Sequence, residues 1–251
     1  MTKLVDLTHF WDWHTPPWSG YPSAKVYYFQ RMQDVGIVSQ FIETSLHMGT
    51  HMDGQMHIVP NGADMASIPL ETLYGDGVIV DISDKVGMLD KIKPEHFEGK
   101  VEIRKGDILI YHTGWHHHYT REREMDEAKY MCMHPGGTEE LADWIIEMKF
   151  KWTGFDCGSA DHPMNTSIRN RRPDIRKKYE KMTGMNVDEE FPEDNLFVMH
   201  RKVFPHNILH VENVGGDIDN ALNVRCKIGA FPWRFVGGEA SICRVVAFIE
   251  D

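Results

Sequence analysis

Four metal-binding side chains fall within eleven residues of this chain: His47, His51, Asp53 and His57, in the run His47-Met48-Gly49-Thr50-His51-Met52-Asp53-Gly54-Gln55-Met56-His57. Imidazole and carboxylate are the donors that zinc and manganese accept. All four occupy odd positions, so a strand would turn them to one face. A straight strand could not gather them, because at about 3.3 Å per residue His47 and His57 would stand roughly 33 Å apart. Two ligands about 2.1 Å from one ion lie within about 4 Å of each other. The chain must therefore bend inside the run, and Gly49 and Gly54 are where a bend is cheapest. A helix would stack His47 and His51 at i, i+4, but it would turn Asp53 away and enclose two glycines. The run predicts a strand end leading into a glycine-shaped turn. With 15 histidines present, a lone His-x-x-x-His pair could arise by chance. Asp53 and His57 do not fit that explanation, since a core strand reads as Val, Ile, Leu or Phe and not as alternating His and Asp. The run reads as a metal site.

A chain of 251 residues buries a sizeable core as one domain, and 41% hydrophobic with 26% charged residues excludes wholesale disorder. The net charge of −11 argues against nucleic acid or an anionic membrane as partner. An anionic substrate would therefore need a local basic or metal centre. Met1-Thr2-Lys3-Leu4-Val5-Asp6 leads into a polar, Trp-rich segment with no signal-peptide pattern, and no apolar run approaches the roughly 20 residues that span a bilayer. Cys132, Cys157, Cys226 and Cys243 lack Cys-x-x-Cys spacing and read as reduced thiols of a cytoplasmic protein.

Val5-Asp6-Leu7-Thr8 reads as a first strand, followed by a loop rich in aromatics and proline from Phe10 to Pro22. Such a loop either walls a ligand pocket or clamps onto its own core. In the first case Trp11, Trp13 and Trp18 are the substrate-binding candidates. Residues 24–46 alternate as two strands, the second running from Ser39 to Leu46 and delivering His47. Val78–Ile82 and Ile108–His112 have the composition of buried strands. The clearest helix runs from Thr138 to Met148, with Thr138 as cap, acids in the first turn, and a stripe of Leu141, Trp144, Ile145 and Met148. Trp152–Asp156 and Ala240–Ile249 read as strands. The segment near 169–195 is charged in both signs and reads as a surface insertion with one amphipathic helix. With no internal repeat or linker, one α/β domain spanning 1–251 is predicted.

Ligands from one segment usually need help from elsewhere, and Asp156, Asp161, His162, His200, His206, His210 and Glu212 are the candidates. Asp156 and Asp161 bracket a strand end turning into a loop, where functional side chains collect. Glu212 falls in the apolar run Asn207–Val214, which reads as a buried strand. A glutamate there is costly unless metal-bound or paired, and Arg201, Lys202 and Arg225 are available partners. His116-His117-His118 reads as a solvated loop, because adjacent histidines do not easily share an ion.

These residues also resemble the metal-dependent cyclase/hydrolase family that contains bacterial kynurenine formamidase and isatin hydrolase. His47 to His57 matches the family motif His-x-Gly-Thr-His-x-Asp-x-x-x-His in full. Weaker likenesses lie at Asp6-Leu7-Thr8, Gly106-Asp107-Ile108-Leu109, Thr113-Gly114-Trp115, Pro135-Gly136, Asp156 with Ser159 and Asp161, Leu209 to Asn213, and Arg244-Val245-Val246-Ala247. The chain departs from the pattern at Gln55, where proline is common, and in a longer segment before His200.

The resemblance implies a swivelling β/β/α-type fold, with a mixed sheet and few helices. It implies one or two divalent ions, zinc or manganese, held by His47, His51 and Asp53, with His200 and Glu212 completing a second position. It makes His57 the catalytic histidine and implies a homodimer or homotetramer. The implied reaction is the opening of an amide, formamide or cyclic-amide C–N bond by metal-activated water, with His57 as proton shuttle. The aromatic loop suggests a small planar or aromatic substrate. Metal-assisted cyclisation, lactone hydrolysis and dehydration are alternatives on the same residues, and a non-catalytic metal-dependent binding protein is another. No Gly-x-Ser-x-Gly elbow occurs, which disfavours a serine hydrolase.

Overall fold

The computed structural model describes residues 1–119 and 126–250. Its strands in chain order are β1 (Thr2–Asp6), β2 (Lys25–Gln30), β3 (Ser39–Glu43), β4 (His51–Asp53), β5 (Tyr74–Asp81) and β6 (Lys91–Ile92). They continue with β7 (Ile108–His112), β8 (Gly136–Gly137), β9 (Trp152–Phe155), β10 (Leu209–Glu212), β11 (Val224–Pro232) and β12 (Ala240–Glu250). One sheet has the order β1-β12-β11-β5-β7-β9-β10-β4, and β4 pairs again with β12. That pairing closes seven strands into a barrel, leaving β1 outside on β12. Within the ring β5, β7, β9 and β10 are parallel and the remaining pairings antiparallel. The mixed α/β sheet expected from the sequence is present, and its helices are few and mostly short.

Alternation along the strands sorts the apolar residues into two layers. Ile79, Ile108, Ile110, Leu209, Val211, Val245 and Ala247 join one cluster inside the barrel. Val78, Val80, Leu109 and Tyr111 face the other way, into a cluster covered by helices. Each fully buried Val, Leu or Ile among them contributes about 1.5–3 kcal/mol. The helix Glu139–Met148 buries Leu141, Ala142 and Ile145 and half-buries Trp144 and Met148, so the predicted stripe is its packing face. Thr138 stands at the N-cap, but its side chain makes no capping bond, contrary to expectation. Glu139 and Glu140 remain in the first turn to complement the helix dipole.

In place of the one helix expected near 169–195 there are three α-helical segments, Ile168–Arg171, Pro173–Thr183 and Val187–Glu190, and a 3-10 turn, Glu193–Asn195. They bury Ile175, Tyr179, Val187 and Phe191 against the outer cluster, while Arg176 pairs with Glu180 and Asp188. Strands β2 and β3 form a separate two-stranded ribbon with most residues exposed. Among the described residues no helix is long and apolar enough to cross a membrane. The four cysteines are free.

Candidate metal centre

Strand register builds the centre. In the antiparallel pairing of β4 with β10, His51 stands opposite Glu212 and Asp53 opposite His210. Opposed residues share a face with Cβ atoms about 4.5–5.5 Å apart. Pairing alone therefore collects four donors on the outer face of the barrel, while Met52 and Val211 between them enter its interior. His200 comes down on the same group from the helix Val198–Val203.

The bends of the motif differ from the expected ones. Strand β3 ends at Glu43 and does not deliver His47, which lies in the following loop. The turn precedes the motif's strand: Gly49 has φ +69°, where an L side chain costs about 1–2 kcal/mol. Gly54 is extended, with φ −96°. It is needed there for space, since a Cβ would meet Met65 Sδ at 2.9 Å and the Glu239 carbonyl at 3.1 Å. The short 3-10 turn Gln55–His57 then brings His57 back, its ring centroid 4.3 Å from that of His47.

Asp53 Oδ1 lies 2.9 Å from His47 Nδ1 and 3.2 Å from His51 Nε2. Its other oxygen lies 3.2 Å from His210 Nε2 and 3.5 Å from His200 Nε2. Glu212 Oε2 is 3.6 Å from His51 Nε2, and Oε1 is 3.4 Å from His210 Nε2 and 3.8 Å from His200 Nε2. The two carboxylates thus stand between two pairs of imidazoles, all buried. Every one of these separations is within the roughly 4 Å allowed to two ligands of one ion. The salt-bridge explanation of Glu212 fails for two of its three candidates, because Arg225 pairs with Asp107 and Lys202 with Glu139 and Asp143. The third, Arg201, is exposed at the cavity wall.

A surrounding layer orients the imidazoles. His51 Nδ1 donates to the Gly49 carbonyl at 2.8 Å, which leaves Nε2 to face Asp53. His200 Nδ1 lies 2.5 Å from Asp161 Oδ2, and Asp161 also accepts from the Met199 amide. Glu239 Oε2 accepts from His47 Nε2 at 2.7 Å and from His57 Nδ1 at 2.9 Å. Partners of this kind fix the tautomer of a metal-binding histidine. Asp53 Oδ1 is buried between the ring nitrogens of His47 and His51, neither of which is aligned to make it a good hydrogen bond. A buried carboxylate is costly unless positive charge, from protonated imidazoles or a cation, meets it. Four imidazoles converging on two buried carboxylates, with ligand atoms of Asp53, His200, His210 and Glu212 within 4.8 Å of one another, fit a divalent ion.

The packed charges shift the proton affinities of these groups. Burial pushes His47 down, but Asp53 and Glu239 outweigh it and raise the ring to about 11. Burial is likewise outweighed at His200, where Asp161 and Asp53 raise the ring to about 10. Burial would lift Asp53, but the neighbouring His47 and His51 hold it well below the usual carboxylate range. At Glu239 burial is overcome by the bonds from His47 and His57, which bring it to about 2. An ion entering the site displaces such protons, so metal uptake weakens as pH falls.

A cavity of about 360 Å³ opens over the cluster, walled by Trp18, Tyr21 and Phe197 and bordered by His57, Arg171 and Arg201. Trp18 is thus at the site. Trp11 packs on the Gly49 turn and lines a separate cleft, and Trp13 is exposed, so neither reaches the cavity. Asp161 serves His200, whereas Asp156 accepts from the Thr113 amide and hydroxyl. His162 is buried elsewhere, stacked on Phe191 with Nε2 2.8 Å from the Leu89 carbonyl, and His206 is exposed. Sequence reasoning left His210 among many candidates and passed over Glu239, a lone acid between a glycine pair and a strand. The solvated reading of His116 is overturned: it is buried, with Nδ1 3.3 Å from Asp156 Oδ2.

A closed mixed barrel carrying a histidine–carboxylate cluster beneath a walled cavity defines an α/β protein with a candidate metal centre. Residues 5–162 match the family described as putative cyclase, and the chain belongs to that family. It is 24% identical over 204 residues to kynurenine formamidase of Erythrobacter litoralis (strain HTCC2594), covering 80% of this chain and 73% of that protein. Its fold is similar to isatin hydrolase A of Labrenzia aggregata bound to benzyl benzoate, with TM-score 0.75, 19% identity, and 100% and 94% of the two chains covered. Isatin hydrolase A of Ralstonia solanacearum gives TM-score 0.77 at 18% identity, covering 99% and 92%.

Proposed function

We propose that the protein is a metal-dependent hydrolase that opens an amide, formamide or cyclic-amide C–N bond in a small molecule with a planar or aromatic group. The observation that carries this reading is the cavity beside the cluster, where His57 stands next to His47 beneath Trp18, Tyr21 and Phe197. A storage or sensing site has no need of a proton carrier in a walled cavity. The activities named for the similar proteins, kynurenine formamidase and isatin hydrolase, point the same way.

His47, His51, Asp53, His200, His210 and Glu212 would hold one or two zinc or manganese ions. Such an ion, when bound, polarises a carbonyl oxygen and makes water a nucleophile at neutral pH. His57 has Nδ1 held by Glu239, so Nε2 is the atom that takes a proton from the attacking water and returns it to the leaving nitrogen. The Glu239 bond keeps the ring in one orientation while it does so. Trp18, Tyr21 and Phe197 take the flat part of the substrate and exclude water. Arg171 and Arg201 give an anionic group the local positive charge that a chain of net charge −11 otherwise lacks. Arg171 is positioned for this, its guanidinium 5.4 Å from the Trp18 ring centroid and bonded to the Ser19 carbonyl.

The protein is read as a cytoplasmic homodimer or homotetramer, a reading supported by its free thiols and by the exposed apolar side chains of the β2–β3 ribbon. Elemental analysis combined with a screen of aryl formamides, cyclic imides and lactams tests the activity. Turnover by metal-replete protein is expected, with loss on chelation and in His51→Ala. If metal-replete protein turns over no carbonyl substrate, the hydrolase reading is wrong.

A further inference from the structure

Strands β5, β7, β9 and β10 end on one side of the barrel, and there the inner face carries a second group of donors. His112 continues the inward parity of Ile108 and Ile110 and stands opposite Asp81 in the β5–β7 register. Gly114, at φ +77°, starts a 3-10 turn, Trp115–His118, that folds His116 and His117 back over His112. Ring centroids of His112 lie 5.0 Å from His116 and 6.3 Å from His117, which are 3.9 Å from each other. Asp219 arrives on the turn Ile218–Ala221, whose Ile218 and Ala221 plug the interior cluster.

We infer that His112, His116, His117 and Asp219 form a second divalent-metal site, of zinc type, that staples this plug to the strand ends. The Nε2 atom of His112 lies 3.6 Å from Asp219 Oδ1. Those of His116 and His117 lie 3.4 and 3.7 Å from Asp219 Oδ2. All four ligand atoms lie within 4.8 Å of one another. Tetrahedral ligands on bonds of about 2.1 Å sit about 3.4 Å apart, so small rotations of the two outer side chains complete the geometry.

Two further observations point to a cation. His112 Nδ1 is 2.8 Å from Asp81 Oδ1 and His116 Nδ1 is 3.3 Å from Asp156 Oδ2. Carboxylates behind the ring leave each Nε2 as a basic lone pair turned toward Asp219. His112 Nε2 is itself buried with no hydrogen-bond partner, on a residue only 3% exposed. His117 and Asp219 are 60% and 50% exposed, on a cleft of about 810 Å³ through which an ion can enter. No ligand is shared with the first centre, which lies on the outer face. Four protein ligands saturate a tetrahedral ion, so the role is structural.

Zinc titration by competition with a chromophoric chelator tests this. Asp53→Asn with Glu212→Gln removes both carboxylates of the first centre at constant volume, and this chain is expected to keep about one zinc equivalent. Adding His117→Gln and Asp219→Asn, both at the surface, should abolish that uptake and the rise in Tm that zinc produces. A folded Asp53→Asn/Glu212→Gln chain that binds no zinc, or whose binding survives the surface pair, overturns the proposal. Should the first double variant not fold, His117→Gln/Asp219→Asn in the otherwise unaltered chain decides. Its zinc content must then fall by about one equivalent, and unchanged content overturns the site.

Discussion

Glu239 Oε2 is shared by two imidazoles with different tasks, His47 at the metal cluster and His57 in the cavity. His57→Ala should retain metal, because the six inner donors are untouched, and lose about 10²–10⁴-fold in kcat, the usual share of a general acid–base group. Steady-state kinetics with metal analysis checks it, and metal loss in that variant would make His57 a ligand. Glu239→Gln should weaken metal binding about 10–100-fold through His47, besides lowering kcat. Chelator competition measures this, and unaltered affinity would show that His47 is held without Glu239. The difference between these residues is also why one was legible and the other not. His47 to His57 announce themselves because the donors are adjacent in sequence and alternate at the period of a strand. Glu239 acquires its meaning only when the segment before β12 meets β4, from the far end of the chain. His210 gains its place from the same kind of register.

At the level of elements, the three-residue strand β4 both closes the barrel and holds the centre. Gly54 at its end is the vulnerable point, since an added Cβ meets Met65 Sδ at 2.9 Å and the Glu239 carbonyl at 3.1 Å. Gly54→Ala is expected to destabilise by about 1–3 kcal/mol, the range for forcing extra volume into a packed site, and to lower activity by displacing Glu239. Urea unfolding with kinetics tests it; full stability and activity would mean that the loop before β12 yields freely. Strands with continuous apolar runs, such as β5, β7 and β10, were legible. Strand β11 was not, because Arg225 and Lys227 interrupt its apolar alternation while pairing with Asp107 and Asp76 on the surface. The His116–His118 segment misled for a related reason. Adjacent histidines converge only on the tight turn that Gly114 starts.

For the whole molecule, the β2–β3 ribbon is out of proportion to the rest, since two strands alone are marginal in water. Tyr27 and Phe41 stack across it at 5.3 Å and are both half exposed. If a second copy covers this face, Tyr27→Asp with Phe41→Asp should shift the protein toward monomer in light scattering; an unchanged mass places the interface elsewhere. The buried histidines set a further global property. Burial pushes His162 down to about 3, whereas an unfolded imidazole titrates near about 6.5. Between those values the unfolded chain binds a proton that the folded chain refuses. The stability is therefore complete above about pH 6.5 and is lost as pH falls toward the folded value. From about pH 6.5 to about pH 5 this one residue removes roughly 1–2 kcal/mol, a sizeable part of a typical reserve of roughly 5–15 kcal/mol. His134, also fully buried and shifted down by burial, acts in the same direction. His162→Gln can still bond the Leu89 carbonyl and the Met164 amide, so it should fold, start less stable near neutral pH, and lose less stability on acidification. Denaturant unfolding of both chains across that interval reads the difference directly. Parallel stability curves would remove His162 as the source of acid sensitivity.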